Sequence, residues 1–130
     1  MAIAGAKATR PILVIEDDRD VAQMLRTYLE LEGYQVVVAS DAGQALQRFD
    51  EIHPRVAVID VRIPGGSGLS LARTMKARGR TGVIIFTAGM ASRREATDAG
   101  ADVFLLKTAP LSELGQAVRT LLHRPPPDGY

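Results

Sequence analysis

An α/β protein with a doubly wound parallel sheet is the fold class this sequence predicts, on three observations. Short apolar runs alternate with helix-period stripes five times along the chain. The runs are nearly continuous in apolar character, as strands covered on both faces must be, and right-handed crossovers then wind the helices onto both sides. The length, 130 residues, suits one domain built around one sheet.

Each element has its own signal. PILVIE (11–16) is an apolar run that ends in acid. Val21, Met24, Leu25, Tyr28 and Leu29 then form one helical stripe, closed by Gly33 as a C-terminal glycine closes a helix. YQVVVA (34–39) is β-branched and predicts the second strand. Ala42, Ala45, Leu46 and Phe49 mark the second helix, ended by His53-Pro54, since proline cannot continue it. RVAVID (55–60) is the third strand, and the loop VRIPGGSG leads from it to a helix around Leu69, Ala72 and Met75 that stops near Gly79. VIIFT (83–87) is the fourth strand. Residues 90–99 are helical by propensity but poor in large apolar side chains, and Gly100 closes them. DVFLL (102–106) is the fifth strand, and Leu111, Leu114, Val118, Leu121 and Leu122 make the last helical stripe. Residues 1–9 read as a loose arm and 124–130 as a short proline-rich tail, which leaves 10–123 as the domain and no room for an output domain.

Composition excludes several classes of function. With a formal net charge of +1, bulk electrostatics point to neither a nucleic-acid nor a membrane surface. The absence of cysteine removes disulfides, thiolate metal sites and thiol catalysis. No apolar run reaches the length of a membrane span, and the N-terminus lacks the apolar core of a secretory signal, so a cytoplasmic location is expected.

The stretch VIEDDRD (14–20) sets the chemical question. Glu16, Asp17 and Asp18 are consecutive carboxylates at the mouth of an apolar strand. Their repulsion raises their proton affinity, and a bound cation would offset that cost. In doubly wound sheets the site lies beyond the carboxyl ends of the strands. Those ends here are Glu16-Asp17, Asp60, Thr87 and the neighbourhood of Lys107, so four chemically capable positions should converge on one edge. Three carboxylates (Glu16, Asp17, Asp60) make a hard-oxygen pocket of the kind that suits Mg²⁺, which keeps several waters and takes phosphate oxygens as further ligands. Asp18 is better placed to cap the first helix.

ILVIEDD, VAVIDVRIPGGSGL, VIIFTAG and AGADVFLLK, in this order and at the usual family spacing, resemble the CheY-like receiver domains of two-component response regulators over residues 10–123. The resemblance implies a flavodoxin-like, five-stranded parallel sheet of order 2-1-3-4-5. It implies Mg²⁺, with Mn²⁺ as a substitute, held by Asp17, Asp60 and the backbone carbonyl of Arg62, with Glu16 acting through a water. Asp60 is then the phosphoacceptor nucleophile, Thr87, Ala88 and Lys107 bind the phosphoryl group, and Thr87 and Phe104 form the switch. The implied donor is a histidine kinase or histidine phosphotransfer protein. The implied output is a protein target docked on the face of the fourth helix, fifth strand and fifth helix, with homodimers allowed. Nucleic acid and membrane are not implied partners. The protein would not be an enzyme beyond its own phosphorylation and slow dephosphorylation.

Simpler roles are also available. Asp18, Asp20 and Asp41 suit helix caps or solvated loops, and His53 and His123 sit near helix ends where a cation meets the dipole. Pro64-Gly65-Gly66 lacks the spacing of a nucleotide-binding loop and reads as a turn leaving Asp60. The chain departs from the family at Thr108, where receivers carry a proline joined by a cis bond. A cis bond before a non-proline residue costs about 2.5–4 kcal/mol, so Lys107–Thr108 is expected to be trans and the loop to the last helix re-routed. That departure motivates an alternative, a receiver-fold binding module that works without phosphorylation. An aspartyl phosphohydrolase ranks last, because DVRIP lacks a second acid beside the nucleophile.

Overall fold

The structure, a computed structural model, describes residues 10–124. Five strands, β1 (Ile12–Ile15), β2 (Val36–Ala39), β3 (Val56–Ile59), β4 (Gly82–Thr87) and β5 (Val103–Leu106), form one parallel sheet of order β2-β1-β3-β4-β5. Five helices connect and follow them: α1 (Arg19–Leu31), α2 (Ala42–Ile52), α3 (Gly68–Arg78), α4 (Arg93–Asp98) and α5 (Leu111–His123). The expected doubly wound fold and strand order are therefore present.

Strand periodicity divides the core in two. Leu13, Ile15, Ala57, Ile59, Val83 and Ile85 point to one face and pack with Phe49, Leu71 and Met75 from α2 and α3. Ile12, Val14, Val56, Val58, Ile84 and Phe86 point to the other and meet Leu25, Leu29, Leu114, Val118 and Leu121 from α1 and α5. Burial on both faces explains why the strands read as unbroken apolar runs rather than alternating ones.

Local chemistry sets the element ends. Asp18 caps α1, its carboxylate accepting from the N–H groups of Asp20 and Val21. Asp41 caps α2 through Gln44 N–H at 2.7 Å. His53 ends α2 in the left-handed region, at φ 45°. The Lys107–Thr108 bond is trans.

Two elements differ from the sequence reading. The loop after β3 contains a two-residue antiparallel hairpin, Arg62–Ile63 against Gly66–Ser67, turned by Gly65 at φ 82°. The fourth helix covers only Arg93–Asp98 instead of 90–99, because Ser92 and Glu95 form a reciprocal capping box that starts it late. The Ser-x-x-Glu spacing was the available signal. The side chains that α4 and its flanks bury are small: Ala91, Ala96 and Ala99. The expected arm over 1–9 and, apart from Arg124, the tail over 124–130 lie outside the described residues. Among those residues, no helix is long and apolar enough to cross a membrane.

Candidate functional site

The carboxyl ends of β1, β3, β4 and β5 are neighbours in the sheet, and parallel register brings their terminal residues to one edge. Asp60 N–H donates to Ile15 O at 3.0 Å, and Lys107 N–H donates to Thr87 O at 2.8 Å. Backbone pairing thus fixes the starting points of all four expected site residues. One carboxylate oxygen from each of Glu16, Asp17 and Asp60 lies within 4.8 Å of the other two.

Burial differs sharply among the three acids. Asp17 is exposed, Asp60 is 7 % exposed and Glu16 only 2 %. Glu16 Oε2 accepts from Asp18 N–H at 3.1 Å. Its Oε1 lies 2.8 Å from Lys107 Nζ as an ion pair, but no donor is aimed at it with hydrogen-bond geometry. Lys107 Nζ donates to Asp60 Oδ2 at 3.1 Å. One ammonium therefore bridges two buried carboxylates.

The protonation of these groups follows from that arrangement. Burial pushes the Glu16 carboxyl above its usual value; Lys107 and the Asp18 N–H oppose the shift, and the Asp60 charge adds to it. For Lys107, burial acts to lower the pKa, but the close Glu16 and Asp60 carboxylates outweigh it and hold the ammonium above its usual range. A desolvated cation between two anions stays charged.

Thr87 is fully buried at the end of β4, and its hydroxyl has no hydrogen-bond partner. Such orphans cost about 1–3 kcal/mol, and a functional use is one reason a native fold retains them. Ala88, next in the chain, is exposed and small, so the edge stays open there. Phe104 is half-buried on β5, packed against the core cluster that includes Ala91, Ala96 and Ala99, and the guanidinium carbon of Arg93 stands 5.3 Å from its ring centroid. Arg62 lies in the hairpin and shares a small hollow with Asp17.

Sequence reasoning missed two contributors. Gly68 packs directly on the backbone of Asp60, and an added Cβ would overlap the Asp60 carbonyl, so only glycine lets α3 begin this close to the site. Its N–H donates to Val61 O at 2.8 Å, pinning the loop that carries Asp60. The second is the pairing of Glu16 with Lys107, which nothing in the local sequence around Glu16 signals.

Parallel strands that bring acids, a threonine and a lysine to their shared carboxyl edge define a class of signalling domain. The chain belongs to the response regulator receiver domain family of two-component systems, whose family model matches residues 12–119. It is 38% identical over 120 residues to response regulator MprA of Mycolicibacterium vanbaalenii, an alignment covering 90% of this chain and 52% of that protein. The chain thus spans about half the length of the curated relatives it matches. Among solved structures, the receiver domain of Francisella response regulator 1452 superposes with a TM-score of 0.79 at 31% identity, covering 87% of this chain and 96% of the other. Response regulator TrrA from Thermotoga maritima, solved in complex with Mg²⁺–BeF, gives a TM-score of 0.80 at 27% identity, with 87% and 99% covered.

Proposed function

We propose that the chain accepts a phosphoryl group on Asp60 from a histidine kinase or a histidine phosphotransfer protein, and that the change is read by a protein target on the α4-β5-α5 face. The carrying observation is the buried Asp60 carboxylate, paired at 3.1 Å with Lys107 and facing Glu16 and Asp17. The transfer forms a bond from an Asp60 oxygen to phosphorus and breaks the phosphorus–nitrogen bond of the donor phosphohistidine, whose imidazole leaves. Lys107, already charged and in place, turns from Asp60 to an equatorial phosphoryl oxygen. The orphan Thr87 hydroxyl donates to another, with the Ala88 backbone beside it.

The donor set fits Mg²⁺: hard oxygens only, with Glu16 Oε1 still lacking a hydrogen-bonded partner. Asp17, Asp60 and the Arg62 backbone carbonyl would hold the ion, with Glu16 through a water, and Mn²⁺ would substitute. When bound, the ion neutralises charge on the phosphoryl oxygens and the attacking carboxylate.

Movement of Thr87 toward the phosphoryl group leaves space that Phe104 enters, releasing Arg93. Helix α4 is six residues long and buries only Ala96, so little apolar surface holds it. A cytoplasmic setting and self-association on the same face fit this reading. The alternative, a module that binds partners without phosphorylation, draws on Thr108 and on a Lys107 already engaged by Glu16.

One experiment separates them. Incubation with Mg²⁺ and acetyl phosphate, followed by intact mass measurement, should give a phosphoryl adduct that Asp60→Asn abolishes. No adduct on the wild-type chain would overturn the phosphoacceptor reading and favour the binding module.

A further inference from the structure

A hollow lies far from the acids. It lies at the opposite, amino-terminal edge of the sheet, about 790 Å³ in volume, within the range of small-ligand sites. Five arginines from four separate segments line it: Arg10 before β1, Arg55 before β3, Arg78 and Arg80 before β4, and Arg124 after α5. Among the described residues no acidic side chain lines it, and His53 and His123 line it as well.

Part of this charge is already answered. Arg78 pairs with Asp50 at 2.9 Å and Arg124 with Asp102 at 3.2 Å. Helices α2, α3 and α5 also end here, each presenting roughly half a negative charge at its last turn. A surplus remains, because the Arg10 and Arg55 side chains are exposed and make no ion pair or hydrogen bond among the described residues.

The floor is both apolar and fixed. Phe49 and Leu121 contribute buried hydrocarbon. Thr81 Oγ1 donates to Pro54 O at 2.8 Å, and Gly82 N–H donates to Arg55 O at 2.7 Å, which clamps the two loops that carry Arg55 and Arg80. Gly82 lies against the Leu121 side chain so closely that a Cβ there would meet it at 3.0 Å. The cations are therefore presented from a rigid base.

We propose that this hollow binds a small polyanion with two or more phosphates joined through a sugar to a flat aromatic ring, in chemical class a nucleoside diphosphate. Planar guanidinium forks take phosphate oxygens in pairs, and several forks from different segments favour clustered phosphates over a single one. The apolar floor suits the ring. The site shares no residue with the acidic edge, so it stands or falls independently of phosphorylation at Asp60.

Calorimetric titration with ADP, AMP and adenosine, in EDTA at fixed ionic strength, tests this without divalent ions at the acids. ADP should bind at least about tenfold more tightly than AMP, with adenosine silent. Arg55→Ala and Arg10→Ala should each weaken ADP at least about tenfold while retaining the wild-type unfolding midpoint and the phosphoryl uptake. Amide shifts on ADP addition should cluster at Arg55, Thr81, Gly82 and Leu121. Three outcomes each overturn the proposal: no heat beyond that of matched sodium chloride, shifts centred on Asp17 and Asp60, or ADP affinity unchanged by both substitutions.

Discussion

The Lys107 ammonium stands 3.1 Å from Asp60 Oδ2 and 2.8 Å from Glu16 Oε1, so one cation pairs with two buried carboxylates. Removing it as Lys107→Ala leaves Glu16 and Asp60 facing each other. Loss of one partner from a largely buried pair costs about 3–5 kcal/mol, and the 21 % exposure of the Lys107 side chain reduces that to about 2–3 kcal/mol. Urea denaturation should show this loss in EDTA and a partial recovery in Mg²⁺. A change below about 0.5 kcal/mol in EDTA would mean that the carboxylates do not depend on the lysine.

Thr87 offers the opposite trade. Its hydroxyl is buried without a partner, and valine has nearly its shape. Thr87→Val should raise the stability of the unphosphorylated protein by about 1 kcal/mol while slowing phosphoryl uptake from acetyl phosphate and weakening the response of residues 87–106 in amide exchange. A lowered unfolding midpoint would show that the hydroxyl is satisfied in solution.

Gly68 couples backbone geometry to the site. A methyl group there meets the Asp60 carbonyl, which is backbone and cannot rotate away. Gly68→Ala should destabilise by about 3 kcal/mol and displace Asp60, lowering phosphoryl uptake even under conditions where the variant is folded. Uptake at the wild-type rate would show that the loop absorbs the methyl without moving the carboxylate.

Asp102 predicts an acid-side dependence of stability. Burial acts to raise its pKa, but the Val83 N–H, Lys76 and Arg124 outweigh it and hold the carboxyl below its ordinary 3.8. A lowered folded-state value contributes stability that is present above the unfolded pKa and lost as pH falls through the folded one. Asp102→Asn should therefore cost about 1–2 kcal/mol at neutral pH and flatten the decline below about pH 4. Denaturation midpoints measured across that range would reveal an unchanged slope if the carboxylate contributes nothing.

Ser92 holds the first turn of α4 by accepting from Glu95 N–H at 3.1 Å. Ser92→Ala should cost about 1 kcal/mol and show as faster amide exchange confined to α4. Uniform exchange changes across the sheet would mean that α4 opens only with the whole domain.

Much of this was legible because it depends on patterns that parallel sheets impose. Strand ends converge by topology, so Asp17, Asp60, Thr87 and Lys107 could be placed at one edge from their positions after apolar runs, and Asp18 from its place before a helical stripe. Pairings across the edge were not legible. The Glu16–Lys107 contact joins the ends of β1 and β5, which are not adjacent strands, and depends on side-chain reach. Gly68 looked like one more loop glycine, since its constraint comes from a backbone that approaches through space. The arginines of the far hollow are scattered from 10 to 124, and only the fold collects them.

Glu16, Asp17 and Asp60 at one rim and Arg10 and Arg55 at the other set side chains of opposite sign at the two ends of the strands, although the net charge is only +1. A body polarised in this way rotates in the field of an approaching macromolecule, so encounter would be oriented before contact, and association rates would fall with ionic strength for a basic partner reaching the acidic rim.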